Sequence, residues 1–232
     1  MKEIEKIKIR KIENEESLVT YDDVIAENFF EIYENNEVIS RLRISPMDIE
    51  NLVVGNLFSL GKIQSIDDID RLEIGESKAF VKIKENKSQR NKEDPGKFIL
   101  PRERIFALSK NFQERSEIFK KTGGAHSAGL IENFEIIDFK EDVARSNAVD
   151  KLIGSILKNE VDIFNKFIFL SCRISDQIVE KILRTDFNLI ISQSAPTTIA
   201  IKKAIENNIN LIGFARRNRF NIYNQNENLE IR

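Results

Sequence analysis

Four short stretches of the chain combine residue types that can bind an anion or move a proton. The first runs from Thr122 to His126 and contains Gly123 and Gly124. Two adjacent glycines permit positive φ angles and a close approach of the backbone to a ligand. The histidine beside them can donate to a phosphate or act as a base. The alternative is a helix C-cap followed by a structural histidine, and the spacing does not decide between the two.

The second stretch places Asp142, Arg145 and Asn147 around the start of a predicted helix. The first turn of a helix carries free N–H groups and positive potential, which suits an anion. The same stretch has a purely structural interpretation if Asp142 and Asp150 cap the helix or pair with Arg145 and Lys151. Both interpretations stay open for these residues.

The third stretch joins an apolar strand to a helix and includes Ser194, Pro196 and Thr197. Open α/β sheets bind ligands at the carboxyl ends of their strands, and hydroxyl and N–H groups there suit a phosphate. Ordinary N-capping by serine or threonine explains the same residues equally well. The sequence also predicts that Pro196 opens the helix, at or near its first position.

The fourth stretch carries three arginines directly after a predicted buried strand, with no acidic residue before Glu227. Guanidinium groups pair bidentately with phosphate, and phenylalanine or arginine can stack on a base. A solvated basic loop is the alternative, but this concentration of positive charge in a balanced chain favours an anion site. The stretch consists of Phe214, Ala215, Arg216, Arg217, Asn218 and Arg219.

Cysteine and histidine each occur once in the chain, as Cys172 and His126. A single cysteine excludes an intramolecular disulfide and a CxxC motif. Two such residues cannot supply the three or four ligands of a zinc site, so we expect no metal site. A lone thiol at the end of an apolar strand usually serves as a small hydrophobic residue. We therefore assign no catalytic residue.

The composition is that of a folded chain without a strong bias towards one kind of partner. The 232 residues include 36 Lys plus Arg and 38 Asp plus Glu, which gives a net charge of −2. This balance argues against a dedicated nucleic-acid binder. No apolar run approaches the roughly 20 residues of a membrane span. Residues 1–10 are a string of alternating charges and not a signal peptide, so we expect a cytoplasmic protein that contacts no membrane.

We predict that the chain has two parts, which together position these stretches. Residues 1–97 form an N-terminal β-rich part with one helix, and residues 98–232 form an α/β cofactor-binding domain. The polar loop at residues 85–97 separates them. The helix is predicted to start with Ser45 as its N-cap and Pro46 at its first position, and Gly61 ends it. Gly55 inside this helix predicts a close packing contact.

Strands and helices are predicted to alternate in the second part, which favours an α/β layer with a largely parallel, buried sheet. The predicted helices cover residues 101–121, 146–157, 175–183 and 196–206. The predicted strands of this part cover residues 126–131, 135–139, 167–170, 189–191, 211–214 and 220–223. In the first part, strands are predicted at residues 24–33, 38–44, 71–74 and 78–84.

The four stretches, read in order as TGGAHSA, EDVARSNAVDK, SQSAPTTIA and GFARRNRFNIY, resemble the FdhD family of formate dehydrogenase accessory proteins. The N-terminal half agrees through Glu27, residues 45–48 and residues 52–61. The resemblance covers about residues 15–225. Each motif alone is a weak signal, whereas the ordered set is specific.

The resemblance implies a fold and a function. The fold is a cytidine-deaminase-like three-layer α/β domain with a mixed sheet and an N-terminal β-rich subdomain, usually in a homodimer. Family members take persulfide sulfur from a cysteine desulfurase and pass it to the bis-molybdopterin guanine dinucleotide cofactor of a molybdenum or tungsten formate dehydrogenase, their client. The matching motifs imply that all four stretches bind this cofactor. Residues 214–219 hold part of the guanine dinucleotide, and GDP is the expected analogue.

The sequence departs from the family where sulfur is carried. The family uses a CxxC loop upstream of the TGG motif, and the matching residues 84–101 contain no cysteine. Ala144, Ser146 and Arg217 stand where the family has glycine, histidine and often glycine. The alternative function is therefore a cofactor-binding chaperone that transfers no sulfur. A zinc deaminase, which the fold also suggests, needs a His or Cys followed by Glu and then a PCxxC pair, and the sequence has neither.

Overall fold

The computed structural model describes residues 1–86, 91 and 93–232. Its N-terminal strands are rich in β-branched and aromatic residues, and two of the turns between them lie at asparagines. Asn14, Asn35 and Asn36 adopt positive φ angles of 55°, 50° and 66°, a conformation that asparagine tolerates better than most residues. The N-terminal strands are β1 (Ile4–Glu13), β2 (Glu16–Ile25), β3 (Asn28–Glu34), β4 (Glu37–Ile44), β5 (Ile69–Ile74) and β6 (Lys78–Ile83).

These strands form two separate sheets. β1 and β2 make a hairpin of their own, whereas the other four form a sheet in the order β4-β3-β6-β5. No strand was predicted for residues 1–10, although Ile7 and Ile9 alternate with charged residues as the side chains of a strand do. The strand predicted at residues 24–33 is interrupted at residues 26–27, between β2 and β3. The polar loop predicted at residues 85–97 lies partly outside the described residues.

The helix that follows β4, α1 (Ile49–Ser59), starts later than the sequence predicts. The prediction that Ser45 caps it and that Pro46 occupies its first position is wrong. Ser45 is fully buried, and its N–H and hydroxyl bind groups near residue 142 instead of the helix. Asp48, with a φ of 50°, occupies the cap position. The predicted stop at Gly61 is confirmed, since this glycine has a φ of 70°.

The second part supplies five helices and eight strands within the described residues. The helix predicted for residues 101–121 is divided in two, because the buried Ser116 has extended backbone and its hydroxyl donates to the Glu141 side chain. The helices are α2 (Arg102–Arg115), α3 (Glu117–Thr122), α4 (Arg145–Lys158), α5 (Asp176–Leu183) and α6 (Thr198–Glu206). The strands are β7 (Phe98–Leu100), β8 (His126–Glu132), β9 (Glu135–Asp142), β10 (Lys166–Leu170), β11 (Leu189–Ser192), β12 (Asn210–Arg216), β13 (Arg219–Asn224) and β14 (Leu229–Ile231).

Six of these strands form a mixed sheet in the order β13-β12-β11-β10-β8-β9. Parallel pairing is confined to β10, β11 and β12 at the centre of the sheet. The prediction of a largely parallel sheet therefore holds only for the centre of the sheet. The β8–β9 and β12–β13 hairpins add antiparallel strands on both sides. Every residue of β10 and β11 is buried, as expected for strands covered on both faces.

Helices α1 and α4 pack at unusually close range, which fixes the N-terminal part against the sheet domain. A Cβ atom at Gly55 would lie 1.8 Å from the Asp150 carbonyl oxygen, and one at Gly154 would lie 1.9 Å from the Asn51 carbonyl oxygen. The close contact predicted at Gly55 is thus confirmed. One hydrophobic cluster includes residues of α1, α4 and the six-stranded sheet. The boundary between residues 1–97 and 98–232 stays a prediction.

No helix in the described ranges 1–86, 91 and 93–232 is long and apolar enough to cross a membrane.

We expect Gly154→Ala to lower the free energy of unfolding by about 1–3 kcal/mol, because a methyl group there forces two helix backbones apart. Gly75→Ala is the matched control, since the nearest atom to its added Cβ is 3.4 Å away. Urea unfolding of both variants measures the difference. An unchanged midpoint in Gly154→Ala would show that α1 and α4 are not in backbone contact.

Candidate functional site

Residues from the four predicted stretches come together at one edge of the six-stranded sheet. The parallel strands β10, β11 and β12 all end at this edge. β8 is antiparallel to β10 and starts there with His126, which is paired with Asp142 at the end of β9. The carboxyl ends of parallel strands are where open α/β sheets bind ligands. The fold thus brings distant parts of the chain to one ligand-accessible edge.

Asp142 is fully buried, and surrounding protein groups bind its carboxylate. Its carboxylate accepts from the Ser45 N–H at 3.1 Å and from the Ala144 N–H at 2.8 Å. It also accepts from the Asn147 amide at 3.0 Å and forms an ion pair of 2.7 Å with Lys151. These contacts satisfy a buried charge. Asp142 thus pairs with Lys151, which is one of the structural alternatives left open by the sequence, and Asn147 helps to hold its carboxylate.

Lys151 is as completely buried as the carboxylate it faces. Its ammonium group also donates to the carbonyl oxygens of Ser45 and Glu141, each at 3.0 Å. Burial lowers the pKa of Lys151, and the Asp142 carboxylate acts in the opposite direction. Asp150 neither caps the helix nor pairs with Arg145 or Lys151. Its carboxylate lies 2.6 Å from the Lys181 ammonium group.

His126 is half-buried between two positive charges. Burial lowers the pKa of the imidazole, and Arg145 and Arg173 lower it further, whereas Asp142 acts in the opposite direction. These effects favour the neutral imidazole, which offers one donor and one acceptor. Neither arginine forms an ion pair with an acidic side chain in the part of the chain that the structure describes.

The glycines beside His126 form the C-terminal cap of α3. Thr122 donates to the Ile118 carbonyl at 2.8 Å and accepts from the Gly124 N–H at 3.2 Å. Gly123 has a φ of 66° and its N–H donates to the Phe119 carbonyl at 2.7 Å. This is the helix cap that the sequence left as the alternative. It does not exclude binding, because a Cβ at Gly123 would meet nothing within 4 Å and the backbone there is open.

A cavity of about 310 Å³, the His126 cavity, lies beneath this cap and against the ends of β10 and β11. Gln193, at the end of β11, donates to the carbonyl and hydroxyl of Ser109 at 2.8 and 3.2 Å. Ser171, after β10, accepts from the Ser127 N–H at 2.8 Å. The lining consists of Phe112, Gln113, Ser116, Phe119, Gly123, Gly124, Ala125, His126, Ser127, Ser171 and Gln193.

Several residues at this cavity were not predicted from the sequence. Gln193 lies within the third stretch, directly after an apolar strand, and that position was the available signal. Ser109 lies in the middle of α2, where no sequence pattern distinguishes it from a surface serine. Ser109 meets Gln193 only because α2 packs beside the sheet edge.

The third stretch connects β11 to α6 and touches the neighbouring strand. Thr197 is the N-cap of α6, and its hydroxyl accepts from the Ala200 N–H at 3.3 Å. Pro196 precedes this cap and pairs with Ile174 in an isolated bridge, so the prediction that it opens the helix is wrong. The Ser194 carbonyl accepts from the Phe214 N–H at 3.0 Å. This bond ties the third stretch to the fourth.

Residues 214–219 comprise the end of β12, a two-residue turn and the start of β13, and we call this segment the arginine hairpin. Arg216 lies opposite Arg219 in the strand register. Their guanidinium carbons each lie 5.7 Å from the centre of the Phe214 ring, and Phe214 has a φ of 54°. Ala215 is buried, and its carbonyl accepts from the Ser109 hydroxyl. A space of about 500 Å³ opens among Arg216, Arg217, Asn218 and Arg219.

Three positive charges in the arginine hairpin are left without counter-charges. Arg216, Arg217 and Arg219 are exposed, and none forms an ion pair within the described residues. Like charges directly opposite one another destabilise a strand pair. A bound anion would remove this repulsion, so the geometry is well suited to a phosphate or diphosphate.

The single thiol of the chain is buried and therefore poorly reactive. Cys172 is 3% exposed, and burial raises its pKa to about 12. A thiol, unlike a thiolate, is a poor nucleophile. Among the described residues, no group of three or more His, Cys, Asp or Glu side chains is placed to hold a metal ion.

We expect the single histidine to titrate below pH 6.5, because burial and two arginines disfavour its charged form. Since protonation then favours the unfolded chain, stability should fall as the pH decreases below 6.5. The C2-proton resonance of His126 in an NMR titration gives the pKa directly. His126→Gln, which cannot titrate, should lack this part of the pH dependence. A midpoint at or above pH 6.5 would contradict the described environment.

Comparisons with known proteins agree with the fold and the motifs. The model of the FdhD/NarQ family matches residues 25–98 and 85–230. The "Sulfur carrier protein FdhD" of Listeria monocytogenes serotype 4b (strain F2365) is 32% identical, over 93% of this chain and 95% of that protein. The protein of the same name from Sulfurisphaera tokodaii is also 32% identical, over 97% and 98%.

A crystal structure from Desulfotalea psychrophila, described as a formate dehydrogenase accessory protein, superimposes with a TM-score of 0.84 at 25% identity. The superposition covers 97% of this chain and 99% of that one. The predicted α/β fold with a mixed sheet and a β-rich N-terminal part is thereby confirmed. The match extends over both predicted parts of the chain and over all four stretches. The chain belongs to the FdhD/NarQ family.

Proposed function

We propose that the protein is an accessory factor for a formate dehydrogenase and that it binds the bis-molybdopterin guanine dinucleotide cofactor as cargo. The observation that carries this proposal is the arginine hairpin at the carboxyl edge of the sheet. Family membership supports the kind of client, because related proteins are named as a sulfur carrier protein and as a formate dehydrogenase accessory protein. The cargo would carry either molybdenum or tungsten.

The charges at the edge suit the diphosphate groups of such a dinucleotide. Arg216 and Arg219 face the same side, since residues directly opposite in a strand pair share a face. The Phe214 ring beneath both guanidinium groups restricts their movement, which lowers the entropy lost on binding. Arg145 and Arg173 add two further cations at the same edge. Binding would then depend on salt concentration, because much of it is electrostatic.

A cofactor-binding function without sulfur transfer is the second candidate, and the burial of Cys172 favours it. Persulfide relay requires a thiolate that a donor protein can reach. Cys172 is the only thiol in the sequence, and residues 84–101 contain none. The chain would then hold or protect the cofactor while sulfur reaches it by another route, and a cysteine desulfurase would not be a partner.

We expect Arg216→Ala to weaken GDP binding roughly tenfold or more, because a charge-assisted contact to phosphate contributes about 1.5–3 kcal/mol. Isothermal titration calorimetry with GDP measures the change. Arg10→Ala is the matched control, since Arg10 is an exposed arginine on the separate β1–β2 hairpin. Equal GDP affinity in wild type and Arg216→Ala would rule out the arginine hairpin as the phosphate site.

The purified protein should take up no persulfide from a cysteine desulfurase supplied with cysteine, because Cys172 is buried. Mass spectrometry would detect an adduct of roughly 32 Da if sulfur were transferred. Thiol labelling of the urea-unfolded chain is the control that Cys172 reacts once exposed. Cys172→Ser should keep the GDP affinity of the wild type. An adduct mapped to Cys172 would restore sulfur carriage by this chain.

We also propose that the protein is a homodimer with its dinucleotide sites in clefts near the strand ends. The proposal rests on the family resemblance and on the frequency of two-fold symmetric assemblies. Sedimentation equilibrium at micromolar concentration should give twice the chain mass of 26.9 kDa. A single species at the mass of one chain would refute the dimer.

A further inference from the structure

The β1–β2 hairpin extends from the rest of the protein and is held at its base. The Ala26 N–H donates to the Glu3 carbonyl at 2.8 Å. Ile25 packs against Gly124, where an added Cβ atom would lie 2.6 Å from the isoleucine side chain. Beyond this base, residues 10–19 are all exposed. A two-stranded hairpin is only marginally stable in water by itself, so this one would gain stability from a partner.

One face of this hairpin is both apolar and acidic. Directly opposite residues of an antiparallel pair share a face, so the strand register assigns each side chain to one of two faces. Leu18 is 63% exposed, and Lys11 on the same face is already paired with Glu13 at 2.7 Å. Its other carboxylates form no ion pair within the described residues. We call this the acidic face; it carries Glu5, Glu16 and Asp22 together with Ile7, Leu18 and Val24.

The four-stranded sheet has an outer face that is aromatic and basic. Phe29 and Phe80 are 44% and 37% exposed, and the Tyr33 and Phe80 ring centres are 5.1 Å apart. Arg43 lies 5.1 Å from the centre of the Phe29 ring, and Lys78 lies 5.3 Å from that of Phe80. We call this the aromatic face, defined by these three rings and two cations.

The cations of the aromatic face differ in whether an acidic side chain already neutralises them. Arg43 and Lys78 form no ion pair in the part of the chain that the structure describes. The other cations of this face are paired with acidic side chains; they are Arg41, Arg71 and Lys82. The aromatic face therefore presents unmatched positive charge, and the acidic face presents unmatched negative charge.

The acidic face and the aromatic face are complementary in chemistry and in length. Two sheets stack face to face about 10 Å apart, with apolar side chains between them. The ten residues of β1 span about 33 Å and the seven residues of β3 about 23 Å, so the hairpin can cover the sheet. Stacking would bring Leu18 and Ile7 onto exposed rings and bring carboxylates to the unmatched cations.

The connection between the hairpin and the sheet prevents this contact within one chain. β2 leads into β3 through residues 26–27, and Ala26 is buried with its N–H bonded to Glu3. This connection leaves no length for the hairpin to fold back onto the sheet that contains β3. Two copies related by a two-fold axis can bury both faces at once, because each copy supplies one of each.

We propose that two copies of the chain clasp each other with their β1–β2 hairpins, the acidic face of each lying on the aromatic face of the other. A second copy is favoured over a different protein, because one chain carries both complementary surfaces. The inference rests on the proposed homodimer and deepens it by assigning the interface. It is independent of the arginine hairpin, so dimerisation and ligand binding can fail separately.

Two double variants reverse the charge of one face each. Glu5→Lys with Asp22→Lys is the acidic-face variant, and Arg43→Glu with Lys78→Glu is the aromatic-face variant. Each variant alone places like charges together in both halves of the dimer. Its dimer dissociation constant should therefore rise about tenfold or more, because like charges across an interface repel. Sedimentation equilibrium over a range of concentrations measures this constant.

An equimolar mixture of the acidic-face and aromatic-face variants gives the decisive result. In the mixed dimer the two reversed faces meet each other, and so do the two unchanged faces. Attraction then returns in both halves, so the mixture should dimerise about as tightly as the wild type. A mixture that stays as weak as its components, or a variant that dimerises like the wild type, would overturn the proposal.

A matched control reverses charge on the opposite face of the same hairpin. Lys8→Glu with Arg10→Glu alters two exposed cations of β1 that lie outside the acidic face, and this variant should dimerise like the wild type. Weakening as large as in the acidic-face variant would overturn the assignment of the face. If a double variant does not fold, the single changes Asp22→Lys and Lys78→Glu replace it in the mixture.

GDP binding separates failure of this inference from failure of the proposed function. Both variants should keep the GDP affinity of the wild type, because the altered side chains are exposed on the N-terminal strands. A wild-type chain that is monomeric at micromolar concentration would overturn the clasped dimer and leave the proposed cofactor site untouched. Absence of GDP binding by a dimeric wild-type protein would count against the arginine hairpin and not against the interface.

Discussion

The buried ion pair between Asp142 and Lys151 is the constraint on which the arrangement of the site depends. Both side chains are fully buried, so neither charge is stable there without the other. Breaking such a pair costs about 3–5 kcal/mol, because one charge remains buried and uncompensated. Ser45 contributes its N–H to the carboxylate and its carbonyl to the ammonium group. One pair thereby joins the end of β9, the middle of α4 and the segment after β4.

The position of the candidate site follows from this ion pair. Asp142 is paired with His126 across the β8–β9 hairpin, and it accepts from Ala144 at the start of α4. Arg145 is then placed beside the histidine ring, and its charge helps to keep that ring neutral. Inside the protein, Lys151 and Lys181 are matched by carboxylates. On the outer edge, Arg216, Arg217 and Arg219 form no ion pair within the described residues, so their positive charge stays available to a ligand.

Sequence patterns predicted the parts of the fold that depend on local periodicity and on turn chemistry. The central strands, α4 and α5, and the arginine hairpin all carry such signals, and the ordered motifs identified the family. Ser45 and Pro46 match a local helix-start pattern, but Ser45 binds the buried carboxylate of Asp142 instead of capping a helix. The prediction for these two residues was therefore wrong. Ser109 and Gln193 meet only through the packing of α2 on the sheet edge, so no local pattern could select them as a pair. Long-range polar partners therefore account for most of the differences.

A crystal structure of the protein grown with GDP would test the proposed cofactor site most directly. We expect the diphosphate in contact with the guanidinium groups of Arg216 and Arg219 and the guanine at the same edge of the sheet. Diphosphate density at any other surface, with the arginine hairpin left in contact with solvent alone, would contradict the claim that this edge is the cofactor site.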